Sequence, residues 1–251
     1  MSTPTPPAST FPDASQATLD RHPDPVRDRD GGAGARLAAD PERRSGLGAL
    51  VVLGVAALVG LVWGAATSGL QTVLPWPFSG LANAVSPWVA PAFAIGTLAR
   101  RPWVAAAAGA LVCFGEVGGY YLLSLVRDFG VNPAMVMTWV ATGVVGGPVF
   151  GAAGWCWRHM RSLRWAGLGA ALMGGVFLSE GAIGYGVHLQ YTGDAVLFCT
   201  LGALLVVTLG ATAPAARAAR APGRGIGTAT VWLLLVFPLG AAGQALLRLI
   251  A

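Results

Sequence analysis

Residues 46–70 read GLGALVVLGVAALVGLVWGAATSGL, a stretch without one charged side chain. A helix needs roughly 20 consecutive apolar residues to cross a bilayer, so this stretch is long enough to span one. Six further runs follow, near 80–99, 102–125, 133–156, 164–188, 194–214 and 226–248. Pro238 is expected to kink the last of them. The pattern predicts an all-α fold, a polytopic transmembrane helix bundle of about seven spans occupying residues 46–251.

Composition points the same way. Of the 251 residues, 55% are hydrophobic and only 11% charged, against roughly 25% charged in a soluble chain. All sixteen basic residues are arginine. Without lysine there is no Schiff-base chemistry and no phosphate-binding P-loop lysine. The net charge of +5 divides unevenly, with −1 on residues 1–45 and +6 on residues 46–251. The N-terminal stretch is rich in Pro, Asp, Ala and Ser and poor in large apolar residues, so residues 1–45 are expected to be a disordered cytoplasmic tail. Its start lacks the charged and apolar regions of a signal peptide. The remaining arginines sit in short clusters between apolar runs, which is no footprint for nucleic acid. Cys113, Cys156 and Cys199 are an odd number, each inside an apolar run. They form neither a disulfide framework nor a zinc pattern and read as buried free thiols.

The arginine clusters set an expected orientation. Arg43 and Arg44 precede the first run, Arg100 and Arg101 follow the second, Arg158, Arg161 and Arg164 follow the fourth, and Arg217, Arg220 and Arg224 follow the sixth. The alternate connections hold only Arg127, beside Asp128. This places the N-terminus in the cytoplasm and, after seven spans, the C-terminus outside a plasma membrane. Trp76, Trp88 and Trp139 then read as part of the outer aromatic belt. Small residues recur every four positions at Gly60, Gly64 and Ser68, at Gly143, Gly147 and Gly151, and at Gly167, Ala171, Gly175 and Ser179. Such stripes let helix backbones approach closely, here within one chain.

Two acids lie inside spans, Glu116 and Glu180. An ionised group at the bilayer centre costs at least ~2.5 kcal/mol, so both should face the bundle interior. Helical spacing puts Tyr120 on the Glu116 face, and Gly184 and His188 on the Glu180 face. Gln71 ends the first run, Asn83 opens the second, and Tyr185 follows Glu180. Gln71, Asn83, Glu116, Tyr120, Glu180, Tyr185 and His188 thus gather toward the outer side, above inner halves of Ala, Val, Leu and Gly. They are the candidate ligand or proton site, an outward-facing polar pocket. The sequence has no HExxH, no GxSxG and no acidic metal cluster, and Ser68 and His188 lie on different helices. The expectation is therefore no enzyme, no cofactor and no metal. The leading expectation is solute or proton binding related to transport, with the lipid bilayer as the certain partner. The alternative is a structural partner of another membrane subunit.

Four stretches carry a resemblance: TSGLQTVLPWPFSGLANAVSPW at 67–88, GEVGGYYLL at 115–123, GGPVFGAAGW at 146–155 and GGVFLSEGAIGYGVHLQY at 174–191. In these the chain resembles an uncharacterised domain family of small multi-pass membrane proteins from high-GC Gram-positive bacteria. The likeness covers most of residues 50–210. It implies a helical integral membrane protein and brings no activity to any residue. In shape alone the chain is also similar to the membrane subunits that bind substrate for vitamin transporters.

Overall fold

The computed structural model describes residues 41–250 and the side chains of residues 46–246. Among these residues there is no strand. The elements are α1 (Pro41–Leu70), α2 (Gly80–Asn83), α3 (Val85–Gly96), α4 (Pro102–Val126), α5 (Pro133–His159) and α6 (Leu163–Ser179). The last of these continues as a π-helical stretch over Glu180–Leu189, and α7 (Thr192–Thr212), α8 (Pro214–Ala218) and α9 (Pro222–Ile250) complete the chain. Six helices are long and apolar enough to cross a membrane. Helix α9 runs through Pro238 without ending there. Most of the tail expected at residues 1–45 lies outside the described residues, while α1 already begins at Pro41, ahead of the expected start at Gly46.

The second run departs from its expected form. Instead of one helix over 80–99, the chain makes the single turn of α2, extends at Ala84 (φ −98°, ψ 152°) and restarts as the twelve-residue α3. Pro87 explains the break. In a continuous helix its ring would collide with the Asn83 carbonyl, and it has no N–H to bond that oxygen. Within the first turn of a new helix that missing donor costs nothing. Twelve residues rise only about 18 Å, well short of the roughly 30 Å hydrocarbon core. The joining segment 71–84, which includes α2, turns back from the end of α1 into the bundle as a re-entrant stretch, with Gly80, Ala82 and Ala84 buried.

Glycines fix how the helices sit. A side chain at Gly64 would strike the Glu116 carbonyl, and one at Gly119 the Leu61 carbonyl, so α1 and α4 run parallel in backbone contact. Helices α4 and α5 run antiparallel through Gly109 against Gly147 and Ala105 against Gly151. Gly154 meets the Phe93 carbonyl where α3 lies parallel to α5, and Gly167, Gly175 and Ser179 meet Thr228, Val236 and Gly240 where α6 lies parallel to α9. All three small-residue stripes are thus filled by intrachain packing, as their spacing suggests. The alternating directions carry Arg100 and Arg101, Arg158, Arg161 and Arg164, and Arg217, Arg220 and Arg224 to connections at one end of the bundle. This arginine end is opposite the segments 71–84, 127–132 and 190–191.

The outward surface is apolar, with Leu58, Val62, Val145, Val196, Leu234 and Leu239 all more than half exposed. A water-soluble protein does not tolerate that much contiguous apolar surface, whereas a bilayer requires it. The chain is a multi-pass membrane protein. Its three cysteines are free; Cys113 is buried and the other two half-buried.

Close backbone contact gives a direct check. A methyl group at Gly109 would overlap the Gly147 carbonyl, whereas at Gly54 nothing lies within 4 Å. Gly109→Ala should therefore cost about 1–3 kcal/mol in thermal or denaturant unfolding in detergent. Gly54→Ala should be neutral or stabilising, since alanine is the better helix former by up to ~1 kcal/mol.

Candidate functional site

The re-entrant segment is pinned by two buried acids. Helix α3 begins inside the bundle, where its first N–H groups have no helical acceptor. Glu180 supplies it: Val85 N–H donates to Oε1 at 2.8 Å and Ser86 N–H to Oε2 at 2.7 Å. The carboxyl stands at the start of the π-helical stretch, and π-helical turns often mark functional positions. Asp194, in the first turn of α7, accepts from the Trp76 indole N–H at 2.8 Å. Gly80 passes so close to Asp194 and the Tyr185 hydroxyl that a side chain there would collide with both. Glu180 and Asp194 are 6% and 3% exposed.

On the other side of this segment opens a cavity of about 570 Å³, at the end of the bundle opposite the arginines. The end of α1 contributes Ser68, Gln71 and Thr72; the re-entrant segment contributes Ala82 and Asn83. Trp88, Tyr120, Tyr121, Phe129 and Trp139 supply aromatic walls from α3, α4, α5 and the α4–α5 turn. The Tyr120 hydroxyl donates to Gln71 Oε1 at 2.6 Å, and the Ser68 and Ser124 hydroxyls are 3.0 Å apart. Arg127 holds the rim, donating to the Ser68 carbonyl at 2.6 Å and to Thr72 Oγ1 at 2.8 Å, with its guanidinium over Phe129. Trp88 and Trp139 stack with ring centroids 5.1 Å apart, and Tyr120 leans on Trp88.

Beneath the two indoles lies a second, much smaller void of about 20 Å³. Glu116 lines it, together with Trp88, Trp139, Cys113 and Thr142. The glutamate is fully buried, and neither carboxylate oxygen has a hydrogen-bond partner among the described residues. The void is large enough for about one water molecule. A buried polar group left without partners costs free energy that the fold must carry elsewhere.

The structure divides the seven candidate residues. Gln71, Asn83 and Tyr120 share the large cavity, and Glu116 lies under its floor. Glu180 and Tyr185 lie on the far side of the re-entrant segment, where Tyr185 packs on Phe198. His188 is exposed near the end of the π-helical stretch, whereas Glu180 at its start is buried. Tyr120 bonds Gln71 rather than Glu116, so the expected glutamate–tyrosine pair does not form. Ser68 is buried against Ser124, far along the chain from His188. The sequence reading missed the stacked Trp88–Trp139 floor, having taken both indoles for belt anchors. It also passed over Asp194, whose signal was its place as one of four acids after residue 45. Among the described residues no group of three or more His, Cys, Asp or Glu could hold a metal ion.

A family model described as a family of unknown function, DUF6518, matches residues 43–246, from the first helix to the end of the described side chains. No curated protein and no solved structure matches the chain.

The two glutamates should respond in opposite ways to substitution. Glu180→Ala removes the acceptors of two buried N–H groups and should cost about 2–4 kcal/mol. Glu180→Gln keeps one acceptor but points an amide N–H₂ at the other donor, so it should also destabilise. Glu116→Gln loses no hydrogen bond and should leave the melting temperature unchanged or higher. Thermal unfolding of the three variants in one detergent tests the ordering.

Proposed function

The chain belongs to the DUF6518 family, whose model spans the whole helical bundle and names no activity, and from the site geometry we propose that it binds a small organic solute in the aromatic-walled cavity. The observation that carries this reading is the cavity itself. It has about 570 Å³ of space, within the 300–1,000 Å³ typical of ligand pockets. Trp88, Tyr120, Tyr121, Phe129 and Trp139 give it aromatic faces, and Ser68, Gln71, Thr72, Asn83, Ser124 and Asn132 line it with uncharged hydroxyl and amide groups. Aromatic faces combined with uncharged hydroxyl and amide groups, and no charged side chain in the lining, suit a compact organic molecule better than a bare ion.

We further propose that the membrane is the plasma membrane, that the arginine end is cytoplasmic, and that the cavity opens outward. The support is the clustering of arginine at one end and the concentration of the cavity's polar groups at the other. The role is transport-related, with the protein as the solute-binding element. A second reading, an assembly partner for another membrane protein, draws on an apolar groove of about 520 Å³ between α1, α3, α6 and α7.

Two measurements test these statements. Thermal shifts of the purified protein against a metabolite library should give ligands whose effect disappears in Trp139→Ala, which opens the cavity floor. Hits insensitive to that substitution would place binding elsewhere. Reporter fusions after Arg101, Arg164 and Arg224 should report cytoplasm, and a fusion near Asn132 should report exterior. The reverse pattern would overturn the orientation and leave the cavity reading intact.

A further inference from the structure

Glu116 has no structural employment of the kind that Glu180 and Asp194 have. Asp194 accepts a hydrogen bond from Trp76 in the re-entrant segment, and Glu180 accepts two from the first residues of α3. Among the described residues Glu116 has no hydrogen-bond partner, although it is completely buried. The energetic cost of such a group is a reason to ask what it faces. It faces a one-water void whose roof is the Trp88–Trp139 stack, and that stack is the floor of the large cavity.

We propose that the solute bound in this cavity is an organic cation, a protonated amine or quaternary ammonium compound, with Glu116 as its counter-charge. The inference rests on the solute-binding reading above and names the class of solute. Three observations converge on it. The cavity walls present indole and phenol rings, whose faces attract ammonium groups. Among the described residues, no arginine or histidine lines the cavity or the void. The Arg127 guanidinium bonds only neutral acceptors, the Ser68 carbonyl and the Thr72 hydroxyl, and keeps its charge at the rim, so the place for a cation is the floor, on the Trp88–Trp139 stack above Glu116. The one carboxyl adjoining the cavity floor is Glu116, which is unpaired and shielded from water, so its field reaches the cavity with little screening.

Glu116 then carries either its own proton or the charge that balances the cation. Binding releases one proton to solvent and leaves the net charge of the site unchanged. Few other groups can contribute. On its own helix Glu116 has Cys113 beside it in the void and Tyr120 one turn further on. Helix α3 presents Val85, Trp88 and Val89; α5 presents Trp139, Thr142 and Gly143; α1 meets it at Gly64. Among the described residues, none of those that α1, α3 and α5 bring to Glu116 is titratable. Affinity for a cation should therefore rise with pH, about tenfold per pH unit while the empty site holds its proton.

Calorimetric titration of the full chain in lipid nanodiscs, with choline and benzyltrimethylammonium as probes, tests the proposal. An uncharged carbon isostere of choline and benzoate serve as neutral and anionic controls. The expected result is saturable binding of the two cations, tightening with pH and accompanied by release of one proton. In Glu116→Gln affinity should fall at least tenfold and the pH dependence should vanish, with thermal stability retained. Trp139→Ala should lose about tenfold and Trp139→Phe much less. Binding of the neutral isostere or benzoate as tight as that of the cations, or cation binding unchanged by Glu116→Gln, would overturn the proposal and leave the cavity as a site for another solute class. Failure of both cations together with failure of every library compound to show Trp139-dependent binding would sink the underlying cavity reading too.

Discussion

A backbone N–H inside hydrocarbon has no water to bond, so a chain that interrupts a helix within a membrane must bring its own acceptor. The Glu180 carboxyl is that acceptor, with one oxygen on Val85 N–H and the other on Ser86 N–H. Much of the site's architecture follows from this pair of bonds. They allow α3 to start part-way through the bundle, which leaves the end of the second span away from the arginine clusters to the re-entrant segment. That segment in turn forms a wall of the large cavity, through Ala82 and Asn83, while Asp194 fastens its beginning through Trp76.

The glycine contacts are the other half of the arrangement. Lipid supplies no hydrophobic drive between helices, so close packing has to hold the bundle. Gly60 and Gly64 bring α1 against α4, and Gly143, Gly147 and Gly151 bring α5 against α4. These contacts set the α4–α5 spacing that lets Trp139 reach Trp88. They also bring α1 against the backbone of the α4 turn that carries Glu116, while α3 and α5 enclose its carboxyl through Val85, Trp88, Val89, Trp139, Thr142 and Gly143. A buried unpaired acid under an aromatic floor is thus a consequence of small-residue packing around it.

Much of this was legible in the sequence. The long apolar runs, the alternating arginine clusters and the four-residue stripes identify helices, ends and contacts, because each depends on local composition and period. Gln71, Asn83 and Tyr120 were legible as neighbours because depth along a span can be counted at 1.5 Å per residue. What the sequence hid depends on contacts between distant segments. Pro87 signals a break, but only the position of Glu180, 94 residues beyond Ser86, shows how a break there is satisfied. The face shared by Glu180 and His188 was misjudged because eight residues of an α-helix already turn about 80° off that face, and His188 lies exposed near the helix end. Trp88 and Trp139 each look like interface tryptophans, and only their stacking makes them a cavity floor.

The central claim is that Glu180 holds an interrupted helix inside the membrane, and amide hydrogen exchange reads it directly. In nanodiscs the Val85 and Ser86 amides should exchange slowly in the wild-type chain and at least tenfold faster in Glu180→Ala, while amides in the middle of α4 stay protected in both. Exchange at Val85 and Ser86 as fast in the wild type as in the α4–α5 turn, or equally slow in both proteins, would contradict the account.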